Sequence, residues 1–197
     1  MNLPNRLSLF RIILVPITML VYLFPYQEFG IQIPVFKISF VSLPVINLIV
    51  LGLFVVASLT DMLDGMIARK RGLITTFGKF IDPIADKLLT TSLFLCFLGK
   101  GIVPVVPVAI MISRDIIVDG IRMIISSKGI VLAAGYLGKM KTVLQMVSIV
   151  VILLNNLPFE IYALPISDFI LWFATFTSAI SGIAYFMQAK NYLLEDK

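Results

Sequence analysis

Six apolar runs leave this chain few ways to fold. They cover roughly residues 8–25, 44–69, 79–98, 102–126, 139–156 and 166–190. Each is near or above the length of about 20 residues that a helix needs to cross hydrocarbon. No water reaches the backbone there, so a span must pair its own N–H and C=O groups, as a helix or within a closed barrel. The runs are continuous and do not alternate, which argues against a barrel. They are too numerous for a cleavable signal peptide. With 59% apolar residues and a mean hydropathy of +1.04, the expectation is an all-α, polytopic integral membrane protein of six transmembrane helices, with residues 1–197 forming a single domain.

Charge sets the expected orientation. Arg6 and Arg11 lie at the start, Arg69, Lys70, Arg71 and Lys79 around the connection between the second and third runs, Lys128, Lys139 and Lys141 around the next on that side, and Lys190 and Lys197 at the end. The opposite side has only Lys37 and Lys100. The positive-inside rule then puts both termini and the Arg69–Lys79 connection in the cytoplasm of a multi-pass protein. Membrane anchoring and anionic headgroups account for the net charge of +5 without a nucleic-acid partner. The opening stretch NLPNRLSLFRI carries Asn2, Asn5, Arg6, Ser8 and Arg11 among apolar residues. It reads either as a short interfacial N-terminal segment or as a polar start to the first span.

The chain has no histidine. That excludes zinc–histidine sites and Ser-His-Asp triads, and leaves acid–base chemistry to carboxylate, lysine, tyrosine or water. Cys96 is the sole cysteine and sits in an apolar run, so there is no internal disulfide.

Against this background the stretch DMLDGMIARKRGLITTFGKFIDPIAD stands out. Carboxylates are costly at membrane depth and are retained there for function or pairing. Asp61 and Asp64 are three apart and share a helical face, with Gly65 and Ala68 on the same side. Gly78, Asp82 and Asp86 recur every four residues and share another. Asp61 lies about 12 Å from Arg69 along a helix axis, near the headgroup boundary. Two antiparallel helices would turn both acid pairs toward one cavity. Four carboxylates repel one another unless compensated. Hard divalent cations relieve this, and oxygen-only ligands suit magnesium or manganese. Two such ions would bind a pyrophosphate and favour in-line phosphoryl displacement. Salt bridges to Arg69, Lys79 or Lys87 are the simpler structural account of any single acid pair.

The pattern resembles the signature of the CDP-alcohol phosphatidyltransferase family, DxxDGxxARx(8)GxxxDxxxD. Asp61, Asp64, Gly65, Ala68, Arg69, Gly78, Asp82 and Asp86 fill it with no departure in residue or spacing. The resemblance implies that Asp61, Asp64 and Asp82 hold two divalent ions. Asp86 would be the base that activates an acceptor hydroxyl, and would also touch a metal. Asp64, Gly65, Ala68, Arg69 and Gly78 would cradle cytidine diphosphate. The family transfers a phosphatidyl group from CDP-diacylglycerol, or a phosphoalcohol from a CDP-alcohol, and releases CMP. A homodimer is also implied.

A second constellation is basic. SRDIIVDGIR supplies Arg114, Asp115, Asp119 and Arg122, and GKMKT supplies Lys139, Lys141 and Thr142. Cations beside a pyrophosphate site suggest an anionic acceptor, and arginine suits phosphate. Internal pairing with Asp115 and Asp119 competes for Arg114 and Arg122, and ordinary membrane anchoring competes for Lys139 and Lys141. PNRLSLFR, RDIIVDGIR and GKMKT are similar to the bacterial branch of the family that uses glycerol 3-phosphate, which implies the cytoplasmic membrane of a bacterium. Asp115 stands where many relatives carry glutamate. Family members that use inositol phosphate or phosphatidylglycerol remain alternatives. So does a carboxylate-lined cation transporter, although the acids cluster at one face and no inverted repeat is seen.

Overall fold

The structure is a computed structural model that describes residues 3–71, 76–130 and 135–194; the side chains of residues 3–4, 63–65, 67–71, 76–80, 82–83, 86 and 193–194 lie outside it. Helices dominate: α1 (Leu3–Leu23), α2 (Val45–Arg71), α3 (Thr76–Gly99), α4 (Val105–Ser127), α5 (Tyr136–Leu153) and α6 (Ile166–Leu194). Each expected apolar run falls on one of them. Among the described residues four stretches are long and apolar enough to cross a membrane: Asn5–Leu23, Val45–Met62, Tyr136–Leu153 and Ile166–Tyr192. In α3 the apolar part is the shorter Lys87–Gly99, and α4 is interrupted by Arg114, Asp115, Asp119 and Arg122. This is an all-α membrane protein in which charged residues break the apolar runs of α3 and α4.

The N-terminal stretch is not a separate interfacial element. α1 begins at Leu3 and runs unbroken to Leu23, past Pro16. Asn5, Ser8 and Arg11 are buried on one side of it, Arg11 at 1% exposure. Their three-residue spacing turns them inward together. One face of the first turns of α1 therefore packs into the protein interior, while Arg6, Leu9 and Phe10 on the other stay exposed.

An antiparallel hairpin, β1 (Val35–Ile38) with β2 (Val41–Pro44), precedes α2, with Ile38 opposite Val41. Its two-residue turn needs positive φ of the kind found in primed hairpin turns, and Ser39 supplies it at 56°. The register buries Val41 and Leu43 and leaves the side chains of β1 exposed.

Helix directions follow from a few contacts. Arg11 meets Asp61, so the start of α1 lies by the later part of α2. The Tyr22 and Phe97 rings meet edge to face at 5.7 Å, joining the ends of α1 and α3. Asn47 Nδ2 donates to Asn155 Oδ1 at 3.0 Å, joining the start of α2 to the end of α5. Lys128 Nζ donates to the Tyr192 carbonyl at 2.7 Å, joining the ends of α4 and α6. One end of the bundle thus holds the starts of α1, α3 and α5 and the ends of α2, α4 and α6.

Helices in lipid gain little from the hydrophobic effect between them, and associate through close packing and interhelical hydrogen bonds. Both are present. Ala57, Ala85, Ala174 and Ala189 are fully buried where helices approach closely. Leu93, Phe97, Met111, Ile149 and Leu153 fill the space between. Large apolar side chains such as Leu20, Ile117, Phe176 and Met187 point outward. Ser8, Lys141, Gln145, Ser148, Ser178 and Ser181 point inward. A polar interior within an apolar shell is what a lipid-embedded site requires.

Candidate active site

Two groups of charged side chains occupy that end of the bundle. The first is built on α1 and α2. Arg11 Nη1 donates to Asp61 Oδ1 at 2.5 Å, with the arginine side chain 1% and the aspartate 39% exposed. The buried cation thus holds the first carboxylate of the acid motif while that carboxylate keeps an open edge. Helix α2 carries Asp61, Asp64, Gly65, Ala68 and Arg69, and α3 carries Gly78, Asp82 and Asp86. Of these motif residues the structure describes the side chain of Asp61. Those of Asp64, Gly65, Ala68, Arg69, Gly78, Asp82 and Asp86 lie outside the described residues.

The second group is built on α3, α4, α5 and α6. Lys141 Nζ donates to both oxygens of Asp115, at 2.5 and 2.6 Å. Arg114 Nη1 donates to the same carboxylate at 2.9 Å, and its Nη2 to Ser181 Oγ at 2.6 Å. The side chains of Lys141, Arg114 and Asp115 are 6%, 12% and 14% exposed. Two cations share one carboxylate, so the network carries one positive charge in excess, away from water. Such a charge is weakly screened and favours an anion beside it.

Lys87 ties α3 to α4. It follows Asp86 directly in α3, and its Nζ donates to Asp119 Oδ1 of α4. Thr90, Thr91 and Phe94 of α3 line a small pocket with Asp115 and Gln145. The acid-bearing helix and the basic network are therefore packed side by side.

The four cations singled out in the sequence do not all converge. Arg114 and Lys141 share Asp115. Arg122 lies about 12 Å further along α4, where its Nε donates to the Tyr185 hydroxyl at 2.9 Å and its guanidinium carbon stands 4.9 Å from that ring's centre. Lys139 is exposed. Asp119, weighed in the sequence as an internal partner for the arginines, pairs across to Lys87 of α3. The sequence reading missed Arg11 as a partner of Asp61, and missed Ser181. The three-residue spacing of Asn5, Ser8 and Arg11 was the available signal for the first. Nothing local marks the second.

Fold and site together define a polytopic helical membrane protein with an acid-bearing helix pair beside a buried, net-positive network. The chain belongs to the CDP-alcohol phosphatidyltransferase family, whose pattern it matches over residues 1–180. A Bacillus subtilis protein named CDP-diacylglycerol–glycerol-3-phosphate 3-phosphatidyltransferase is 41% identical over 191 residues, 97% of this chain and 95% of its own length. Proteins of the same name from Rickettsia bellii, 34% identical over 97% of both chains, and from Haemophilus influenzae, 31% identical over 99% of this chain and 97% of its own, are also similar. The chain is a transferase of that family, which sets aside the cation-transport reading.

The family generally uses a divalent metal. The donor set fits one. The acid motif offers carboxylate oxygens only, histidine is absent, and Cys96 is buried about 15 Å further along α3 from Asp86. Oxygen donors without nitrogen or sulfur suit a hard ion.

Proposed function

We propose that this protein transfers the phosphatidyl group of CDP-diacylglycerol to glycerol 3-phosphate, giving phosphatidylglycerol phosphate and CMP. The Arg114–Asp115–Lys141 network carries this reading. Its excess positive charge beside the acid-bearing helix suits an acceptor that is itself a phosphate. The names of the relatives support the same donor and acceptor.

Asp61, Asp64, Asp82 and Asp86 would hold two divalent ions, magnesium or manganese, which when bound offset the charge on the pyrophosphate and on departing CMP. Asp64, Gly65, Ala68, Arg69 and Gly78 cradle the cytidine diphosphate, with small residues leaving room for it and the arginine meeting phosphate oxygens. Arg114 and Lys141 hold the acceptor phosphate, while Arg122 and Lys139, which stand apart from them, help to draw the anion in. Asp86 takes the proton from the acceptor hydroxyl. That oxygen bonds to the phosphatidyl phosphorus, the phosphorus–oxygen bond to CMP breaks, and CMP leaves with the electron pair. Arg11 holds Asp61 in place through the reaction.

The whole chain acts as one domain, as a homodimer in the cytoplasmic membrane of a bacterium, with the site and both termini facing the cytoplasm. The basic connections between α2 and α3 and between α4 and α5 support that orientation. Treating purified protein with a chelator is expected to stop CMP release, and added magnesium to restore it together with phosphatidylglycerol phosphate seen by mass spectrometry. Turnover that persists in chelator would contradict the metal assignment.

A further inference from the structure

Arg114 is held more tightly than helix packing requires. Its Nη1 is fixed by Asp115 and its Nη2 by Ser181 of α6, a hydroxyl 3% exposed. Its aliphatic stem runs across Gly182. A Cβ added at Gly182 would stand 2.9 Å from Arg114 Cγ and 3.7 Å from Nε. The first distance is below any ordinary contact, and Cγ lies too near the backbone to swing aside cheaply. The guanidinium orientation seen here therefore depends on a glycine at this position.

One feature of the arginine points beyond packing. Its Nε is buried and meets no acceptor among the described residues. Buried polar groups are nearly always paired, and an unpaired one calls for an explanation, such as a water, an ion or a ligand that it receives. An arginine already fixed on two sides also loses less freedom when it binds an anion.

We propose that Ser181 and Gly182 are positioning residues that orient the Arg114 guanidinium toward the phosphate of the acceptor. The inference rests on the reading of Arg114 as an acceptor-phosphate ligand. Neither residue touches the acceptor. Ser181 acts through its hydrogen bond, and Gly182 through the space it leaves.

The test measures KM for glycerol 3-phosphate, KM for CDP-diacylglycerol and kcat in S181A, S181T and G182A, with R114K as the reference. S181A and G182A are expected to raise KM for glycerol 3-phosphate about tenfold, the loss of one charge-assisted hydrogen bond. KM for CDP-diacylglycerol and kcat should stay within about twofold, since a uniform binding contribution is removed. S181T keeps the hydroxyl and should restore the low KM. If G182A does not fold, the S181A and S181T pair decides alone. A raised KM in R114K with no change in S181A would overturn the positioning role and leave Arg114 as a ligand. An unchanged KM in R114K would remove Arg114 from the acceptor site and the proposal with it. Equal losses for both substrates in S181A, not recovered in S181T, would show a merely structural role.

Discussion

Replacing Asp86 with asparagine should cut CMP release by a factor of about 10² to 10⁴, the usual contribution of a positioned general base. Asparagine keeps the size of the side chain and one oxygen that a metal could use, but it cannot take a proton at neutral pH. The loss should therefore appear in kcat, with CDP-diacylglycerol still bound. The chain has no histidine to substitute, and Lys87, the next residue, is engaged by Asp119. Circular dichroism of the variant should match the parent. Unchanged turnover in a folded Asp86→Asn protein would remove Asp86 from the role of base.

The largest effect on stability is expected at Asp115. This carboxylate balances Lys141, whose side chain is 6% exposed, and Arg114 at 12%. Asp115→Asn would leave two buried cations without a counter-charge. Breaking a buried pair in this way costs about 3–5 kcal/mol, enough to lower the melting temperature in detergent by on the order of 10 °C. Adding Lys141→Met removes the stranded charge, so the double variant should be more stable than Asp115→Asn alone. That non-additivity separates an electrostatic cause from lost packing. An Asp115→Asn protein that melts with the parent would show that the network contributes little to the fold.

What could be read from the sequence followed physical range. The helices were legible because a lipid-facing segment must be apolar, which α1, α2, α5 and α6 show over a full span and α3 and α4 over part of their length. The acid motif was legible because its residues lie on two consecutive helices at fixed spacing. The hairpin before α2 was not, since its turn is Ser39–Phe40 and lacks the glycine or asparagine that usually marks a positive-φ turn. Arg11 read as one more anchoring cation, because its pairing with Asp61 spans fifty positions and no local pattern encodes it. Asp119 shares a helix with Arg122 yet bonds to Lys87, a choice made by how α3 and α4 pack. Ser181 and Gly182 look like small residues at a helix contact until Arg114 is seen lying across them.

The central claim is tested most directly by CMP release from purified protein in detergent, supplied with CDP-diacylglycerol and magnesium and offered glycerol 3-phosphate, inositol phosphate, serine or phosphatidylglycerol in turn. Release with glycerol 3-phosphate alone is the predicted result, since the buried network then receives the phosphate its excess charge calls for. Release with serine or phosphatidylglycerol, and none with glycerol 3-phosphate, would contradict the assignment of acceptor and of Arg114 and Lys141.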